Sequence, residues 1–96
     1  MKKEIVVISA LWCPSCLILK KHLKKLKEEQ NIDVKYLDYD FYEEEVKKYD
    51  VKDILPVMII EEDGNEISRL TGEKEYEEII NYLKGNDVLW KKYWFI

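Results

Sequence analysis

Two cysteines and one histidine are all that this 96-residue chain offers to thiol or imidazole chemistry, and that scarcity excludes several designs at once. A disulfide-stapled mini-protein carries four or more cysteines, and two at C-x-x-C spacing close too small a loop to stabilise a fold by restricting the unfolded chain. A closed zinc site wants four ligands, and Cys13, Cys16 and His22 cannot supply them within one chain. His22 follows Cys13 by nine residues, which along a helix is roughly 13 Å, too far for direct proton transfer, so it reads as a half-buried helix residue. No stretch approaches the ~18 apolar residues of a membrane-spanning helix. The formal charge of −4 comes from interleaved lysines and glutamates, which leaves no strongly basic surface for nucleic acid. There are no internal repeats, linkers or low-complexity tracts. Met1-Lys2-Lys3-Glu4 before an apolar run has the outline of a signal peptide. Glu4 interrupts its basic part, however, and Trp12 stands where a cleavage site wants a small residue. The expectation is one small cytoplasmic domain built round one core.

What is present is nearly half hydrophobic and patterned throughout. Ile5-Val6-Val7-Ile8 is a short run of β-branched residues, the mark of a strand buried on both faces and therefore central. A helix follows from Cys13 or Pro14, since proline is tolerated in a first turn, with Leu19, Leu23 and Leu26 on one face and five lysines on the other. After a turn at Asn31 and Asp33, Val34 to Asp40 alternates as a half-buried strand does. Tyr42 to Tyr49 makes a short helix with Glu43, Glu44 and Glu45 in its first turn, a solvated face and not a metal site. Pro56 opens an apolar strand, Val57-Met58-Ile59-Ile60, and Asp63-Gly64 turns it back through Glu66 to Leu70. From Glu73 the positions Tyr76, Ile79, Ile80 and Leu83 form an amphipathic helix that Gly85 and Asn86 end. The order is β-α-β-α-β-β-α, an α/β fold with a mixed four-stranded sheet flanked by helices over residues 1–86. Residues 87–96, with two of the three tryptophans, stand apart as an aromatic tail expected to fold back on the domain, or else to dock a partner.

The only thiols lie at the junction of the first strand and its helix, in Trp12-Cys13-Pro14-Ser15-Cys16. A helix N-terminus presents unsatisfied backbone N–H groups and the positive end of the helix dipole, which favours a thiolate on Cys13 and makes it the nucleophile. Cys16, one turn further in, is placed to attack a mixed disulfide on Cys13 and is the resolving thiol.

With these residues the chain resembles the thioredoxin and glutaredoxin superfamily. Trp12 to Cys16 is similar to its W-C-x-x-C site, Ile54-Leu55-Pro56 to its cis-proline segment, and Glu62 through Gly72 to its closing hairpin and following glycine. The resemblance covers about residues 4–84. It implies a compact thioredoxin-like fold and a thiol–disulfide oxidoreductase whose catalytic residues are Cys13 and Cys16. It also implies a substrate-contacting surface of Trp12, Pro14, Leu55, Pro56 and Gly72. Pro56 would be cis against the cysteines, the Leu55 backbone would pair with an extended substrate segment, Trp12 would cover the edge of the site and Gly72 would keep the groove open. The pair Pro14-Ser15 would tune the reduction potential. No cofactor beyond a reversible Cys13–Cys16 disulfide and no metal is implied. The partners would be protein disulfides and a reductase or small-thiol electron donor, and the protein would act as a monomeric dithiol reductant. A glutathione-dependent enzyme and a redox-sensitive adaptor docking through the tail are the alternatives.

Two departures from the family pattern bear on mechanism. Val7 stands six positions before Cys13, where thioredoxins bury an acidic residue, and Tyr36 takes the place of its lysine partner, so proton transfer at Cys16 would use water or a substrate group. Gly72-Glu73-Lys74-Glu75-Tyr76 does not match the glutathione signature of glutaredoxins.

Overall fold

Val6, Val7 and Ile8 lose essentially all contact with solvent because a strand lies on each side of them and a layer of side chains above and below. A computed structural model describes residues 3–88. In it β1 (Lys3–Ser9) pairs in parallel with β2 (Val34–Asp38) and antiparallel with β3 (Val57–Glu62), and β3 pairs antiparallel with β4 (Asn65–Thr71), giving the sheet order β2-β1-β3-β4. The helices are α1 (Pro14–Gln30), α2 (Glu43–Lys48) and α3 (Tyr76–Gly85). Element order and sheet composition are those the sequence predicts.

The sheet divides the expected single core into two layers. On one face Ile5, Val7, Met58 and Ile60 meet Leu19, Leu23 and Leu26 of α1 and Ile79 and Leu83 of α3. On the other, Val6, Ile8, Val57, Ile59 and Leu37 meet Val46 of α2. Alternation along β1 sends successive side chains to opposite layers, which is why an unbroken apolar run is needed there. Each fully buried aliphatic side chain contributes roughly 1.5–3 kcal/mol relative to exposure.

Several boundaries move for local reasons. The second strand stops at Asp38 and not Asp40, because the Asp38 carboxylate accepts from the N–H of Asp40 at 2.9 Å and of Phe41 at 3.2 Å, closing a turn that competes with the ladder. Pro56 lies just before β3, where its missing N–H costs the sheet no bond. The hairpin turn has both central residues left-handed, Asp63 at φ 53° and Gly64 at φ 85°, the geometry that fits the twist of a two-residue loop. The last helix begins at Tyr76, after an extended Glu75. It ends at Gly85 with Asn86 as its C-cap, as the sequence predicts, and Asp87 completes the stop. Asp87 is left-handed at φ 57°, and the N–H groups of Asp87 and Val88 return to the carbonyls of Lys84 at 3.1 Å and Leu83 at 2.9 Å. Val88 then packs onto the first layer. The rest of the aromatic segment, from Leu89 onward, lies outside the described residues.

Topology collects one edge of the molecule. Since β3 is antiparallel to its neighbours, the C-terminal ends of β1, β2 and β4 and the start of β3 meet there. The connections over that edge are residues 10–13, 39–42, 49–56 and 72–75. Among the described residues no helix is long and apolar enough to cross a membrane.

Candidate active site

Both cysteines are free and lie where β1 hands over to α1. Cys13 is the N-cap of α1, extended at φ −99° and ψ 110°, with Pro14 in the first turn where its missing N–H costs nothing. The backbone N–H of Cys16 donates to Cys13 Sγ at 3.2 Å, so the sulfur does the work that a serine or aspartate oxygen does at other helix starts. Cys13 is 6% exposed and Cys16 is wholly buried, packed with Ala10 and Leu55. Burial first, and then the hydrogen bond with Cys13, push the Cys16 thiol up to about 12, with the Ala10 backbone and Lys20 opposing. The two thiols are therefore unequal: one caps the helix near the surface and the other is held protonated beneath it.

Opposite them the Leu55–Pro56 peptide is cis and Pro56 is buried. The Leu55 carbonyl oxygen is 3.9 Å from Cys13 Sγ, and the Pro56 carbonyl accepts from the Gly72 N–H at 2.8 Å. Gly72 has φ +89°, and a Cβ built on it would meet only Ile54 Cγ2 at 3.6 Å, an ordinary contact. Its glycine is thus required by backbone conformation more than by lack of space. The loop that carries Leu55 is held from below. Arg69 on β4 donates to the Tyr49 carbonyl at 2.6 Å and to both oxygens of Glu66, while the Tyr49 hydroxyl donates to Glu61 at 2.7 Å.

Trp12, the residue before Cys13, is fastened on the β2 side of the motif. It is 64% exposed, its indole Nε1 donates to Asp40 Oδ2 at 2.8 Å, and its ring meets Tyr39 edge to face with centroids 6.5 Å apart. On the other flank Ser15 Oγ donates to Glu73 Oε1 at 3.0 Å. Asp40, Glu73, Tyr49 and Arg69 were not evident from sequence, since their partners are remote along the chain. The available signal was topological, because residues following β2 and β4 must share the edge that follows β1. Val7 pairs with Tyr36 in the β1–β2 register, as the departure from the family pattern supposes, and neither ionises to serve Cys16 near neutral pH. His22 is half-buried with its ring centroid 5.8 Å from that of Tyr76. Among the described residues no group of three or more His, Cys, Asp or Glu side chains is arranged to hold a metal ion.

A C-x-x-C pair at a helix start, beside a cis-proline loop at one edge of a mixed four-stranded sheet, defines a dithiol protein of the thioredoxin fold. The thioredoxin family model matches residues 1–85, and the chain belongs to that family. Among solved structures, a mutant thioredoxin from Halobacterium salinarum superimposes with a TM-score of 0.77 at 19% identity, covering 86% of this chain and 73% of that one. The thioredoxin of Fasciola hepatica gives 0.75 at 25% identity, covering 86% and 80%. That of Schistosoma mansoni gives 0.77 at 24%, covering 88% and 78%. No curated protein matches the sequence. Family membership places the chain among thiol–disulfide oxidoreductases in general.

Proposed function

We propose that this protein is a small dithiol reductant of protein disulfides. The observation that carries the reading is the division between the thiols: Cys13 Sγ caps α1 and faces the Leu55 carbonyl, while Cys16 is buried one turn below. Cys13, as thiolate, attacks one sulfur of a substrate disulfide. The substrate S–S bond breaks, its second sulfur leaves as a thiolate and takes a proton from solvent, and a Cys13–substrate mixed disulfide remains. Cys16 then loses its proton and attacks Cys13 Sγ, which forms the Cys13–Cys16 disulfide and releases the other substrate thiol. Two electrons have passed from protein to substrate, and a reductase or small thiol returns them.

Trp12, Pro14, Leu55, Pro56 and Gly72 form the substrate-contacting surface in this reading. Exposed Trp12 and Pro14 supply apolar area, and the backbone beside Pro56 supplies pairing for an extended segment. The reversible disulfide is the sole redox group, the protein works as a monomer, and a cytoplasmic setting suits a reductant. The test is reduction of insulin with a dithiol regenerant. Wild type is expected to turn over, Cys13→Ser to lose turnover, and Cys16→Ser to accumulate a mixed disulfide. Undiminished turnover in Cys13→Ser would overturn the assignment.

A further inference from the structure

Residues 5–19 contain no charged side chain, so the C-x-x-C motif and the first turn of α1 bring no charge of their own to the site, and the first charge along α1 is Lys20. Charge is supplied from the flanks by two carboxylates, each fastened to the C-x-x-C segment by one hydrogen bond. Asp40, following β2, accepts from Trp12 Nε1 at 2.8 Å, and Glu73, following β4, accepts from Ser15 Oγ at 3.0 Å. These residues border the motif from both sides, because β2 and β4 lie on opposite sides of the β1–β3 pair. The cations in the same four connections are Lys52, which Asp50 engages at 3.0 Å, and Lys74. A hydrogen-bonded carboxylate keeps its charge while losing rotational freedom, so it acts on an approaching ligand from a fixed place.

We propose that Asp40 and Glu73 make the dithiol selective for disulfides in extended segments that carry lysine or arginine beside the half-cystine. This rests on the thiol–disulfide reading above and adds the substrate class. A segment lying along Leu55 runs between the two carboxylates, with its apolar side chains toward exposed Leu11, Trp12 and Ile54 and its cationic ones toward Glu73 or Asp40. A carboxylate about 6 Å from a flanking charge in a water-like dielectric favours that charge about threefold if positive and disfavours it as much if negative. Each carboxylate therefore separates lysine-flanked from glutamate-flanked substrates by about tenfold at low ionic strength.

The experiment uses three peptides of one apolar sequence with an internal disulfide, flanked by lysine, serine or glutamate. Each is reduced in single turnover by the pre-reduced full-length protein and followed by chromatography. Glu73→Gln and Asp40→Asn keep an acceptor for Ser15 and Trp12 and remove only the charge. Comparing variants on the same peptides also cancels differences in the peptides' own reducibility. The lysine-to-glutamate rate ratio is expected to fall about tenfold in Glu73→Gln, to fall further in the double variant, and to shrink in wild type as salt is added. An unchanged ratio in the double variant, or equal wild-type rates on all three peptides, overturns the selectivity and leaves the oxidoreductase reading standing. Failure of wild type to reduce even the serine peptide instead overturns that reading, and the selectivity with it.

Discussion

Resolution of the mixed disulfide should be the pH-limited step of the proposed cycle. Cys16 is wholly buried, and burial is the largest cause holding its thiol near about 12, with the hydrogen bond to Cys13 second. Once Cys13 is bound in a mixed disulfide it has no charge and no longer backs the proton on Cys16, so its share of the shift is relieved. The burial share persists, and the thiol stays above its ordinary 9.0. A group titrating at 9 or above is at most about one part in a hundred thiolate at pH 7, and that part grows tenfold per pH unit. A more basic thiolate is a better nucleophile, which raises the absolute rate but leaves the slope unchanged. The assay is a stopped-flow reaction of the reduced protein with a chromogenic aromatic disulfide, in which the first equivalent of aryl thiolate reports attack by Cys13 and the second reports resolution by Cys16. The log rate of the second phase should rise with unit slope from pH 6 to beyond pH 8.5. A plateau below pH 8 would refute the reasoning, because it would require a Cys16 thiol well below its ordinary 9.0 or a general base beside it, and Val7 and Tyr36 supply none.

Stability should also weaken in alkali. Cys16 and Tyr49 hold their protons to about 12 when folded, Tyr49 through burial and its bond to Glu61, whereas the unfolded chain releases them near 9.0 and 10.0. The folded state is thus favoured fully below pH 9 and progressively less as pH rises from 9 to 12, so urea midpoints should fall over that window. Tyr49→Phe should flatten the part above pH 10; an unflattened profile would exclude Tyr49 as a contributor. Leu26→Ala, at a site with no exposure in the α1 layer, should cost about 2–5 kcal/mol in urea unfolding with little change in slope. A cost below about 1 kcal/mol would mean the layer closes over the gap. Asp87→Gly should add about 0.5–1 kcal/mol, because the helix stop places this residue at φ 57°. A lower melting temperature in the glycine variant would show that the aspartate side chain matters more than the backbone there.

What was legible in the sequence follows from how local its cause is. The β1 run, the Leu19-Leu23-Leu26 stripe and Asp63-Gly64 state their structure through period, propensity or turn chemistry within a few residues, and the fold follows from their order. Cys13 and Cys16 were legible for the same reason, since a thiol at a helix start is set by the residues around it. The end of α3 at Gly85 and Asn86 was legible, but the part Asp87 takes in it was hidden, because an aspartate in the left-handed region is an uncommon choice. The strand end at Asp38 was hidden because the alternating pattern continues to Asp40 while a side-chain turn takes over the backbone donors. Contacts such as Trp12 with Asp40, Ser15 with Glu73, and Arg69 with Tyr49 join residues 20 or more apart and need the sheet order before they can be seen.

That sheet order also explains why a chain with so little chemistry to spare can support two distinct thiols. The parallel β1–β2 pair and the antiparallel β1–β3 pair put the end of β1 and the start of β3 side by side, so the Cys13 sulfur and the Leu55 carbonyl meet without either belonging to a regular element. The Gly72 N–H ties Pro56 to the end of β4, and Arg69 ties the preceding loop to the same strand at Tyr49. The loop is therefore fixed at both of its ends from β4. Loss of the Arg69 anchor should then loosen Leu55 without touching either cysteine. Arg69→Met keeps the aliphatic stem and removes the donors. It should slow the first phase of aryl thiolate release from a peptide disulfide more than from a small aromatic one, because only the peptide depends on backbone pairing at Leu55. Equal slowing of both would place the effect of Arg69 on Cys13 itself and not on the loop.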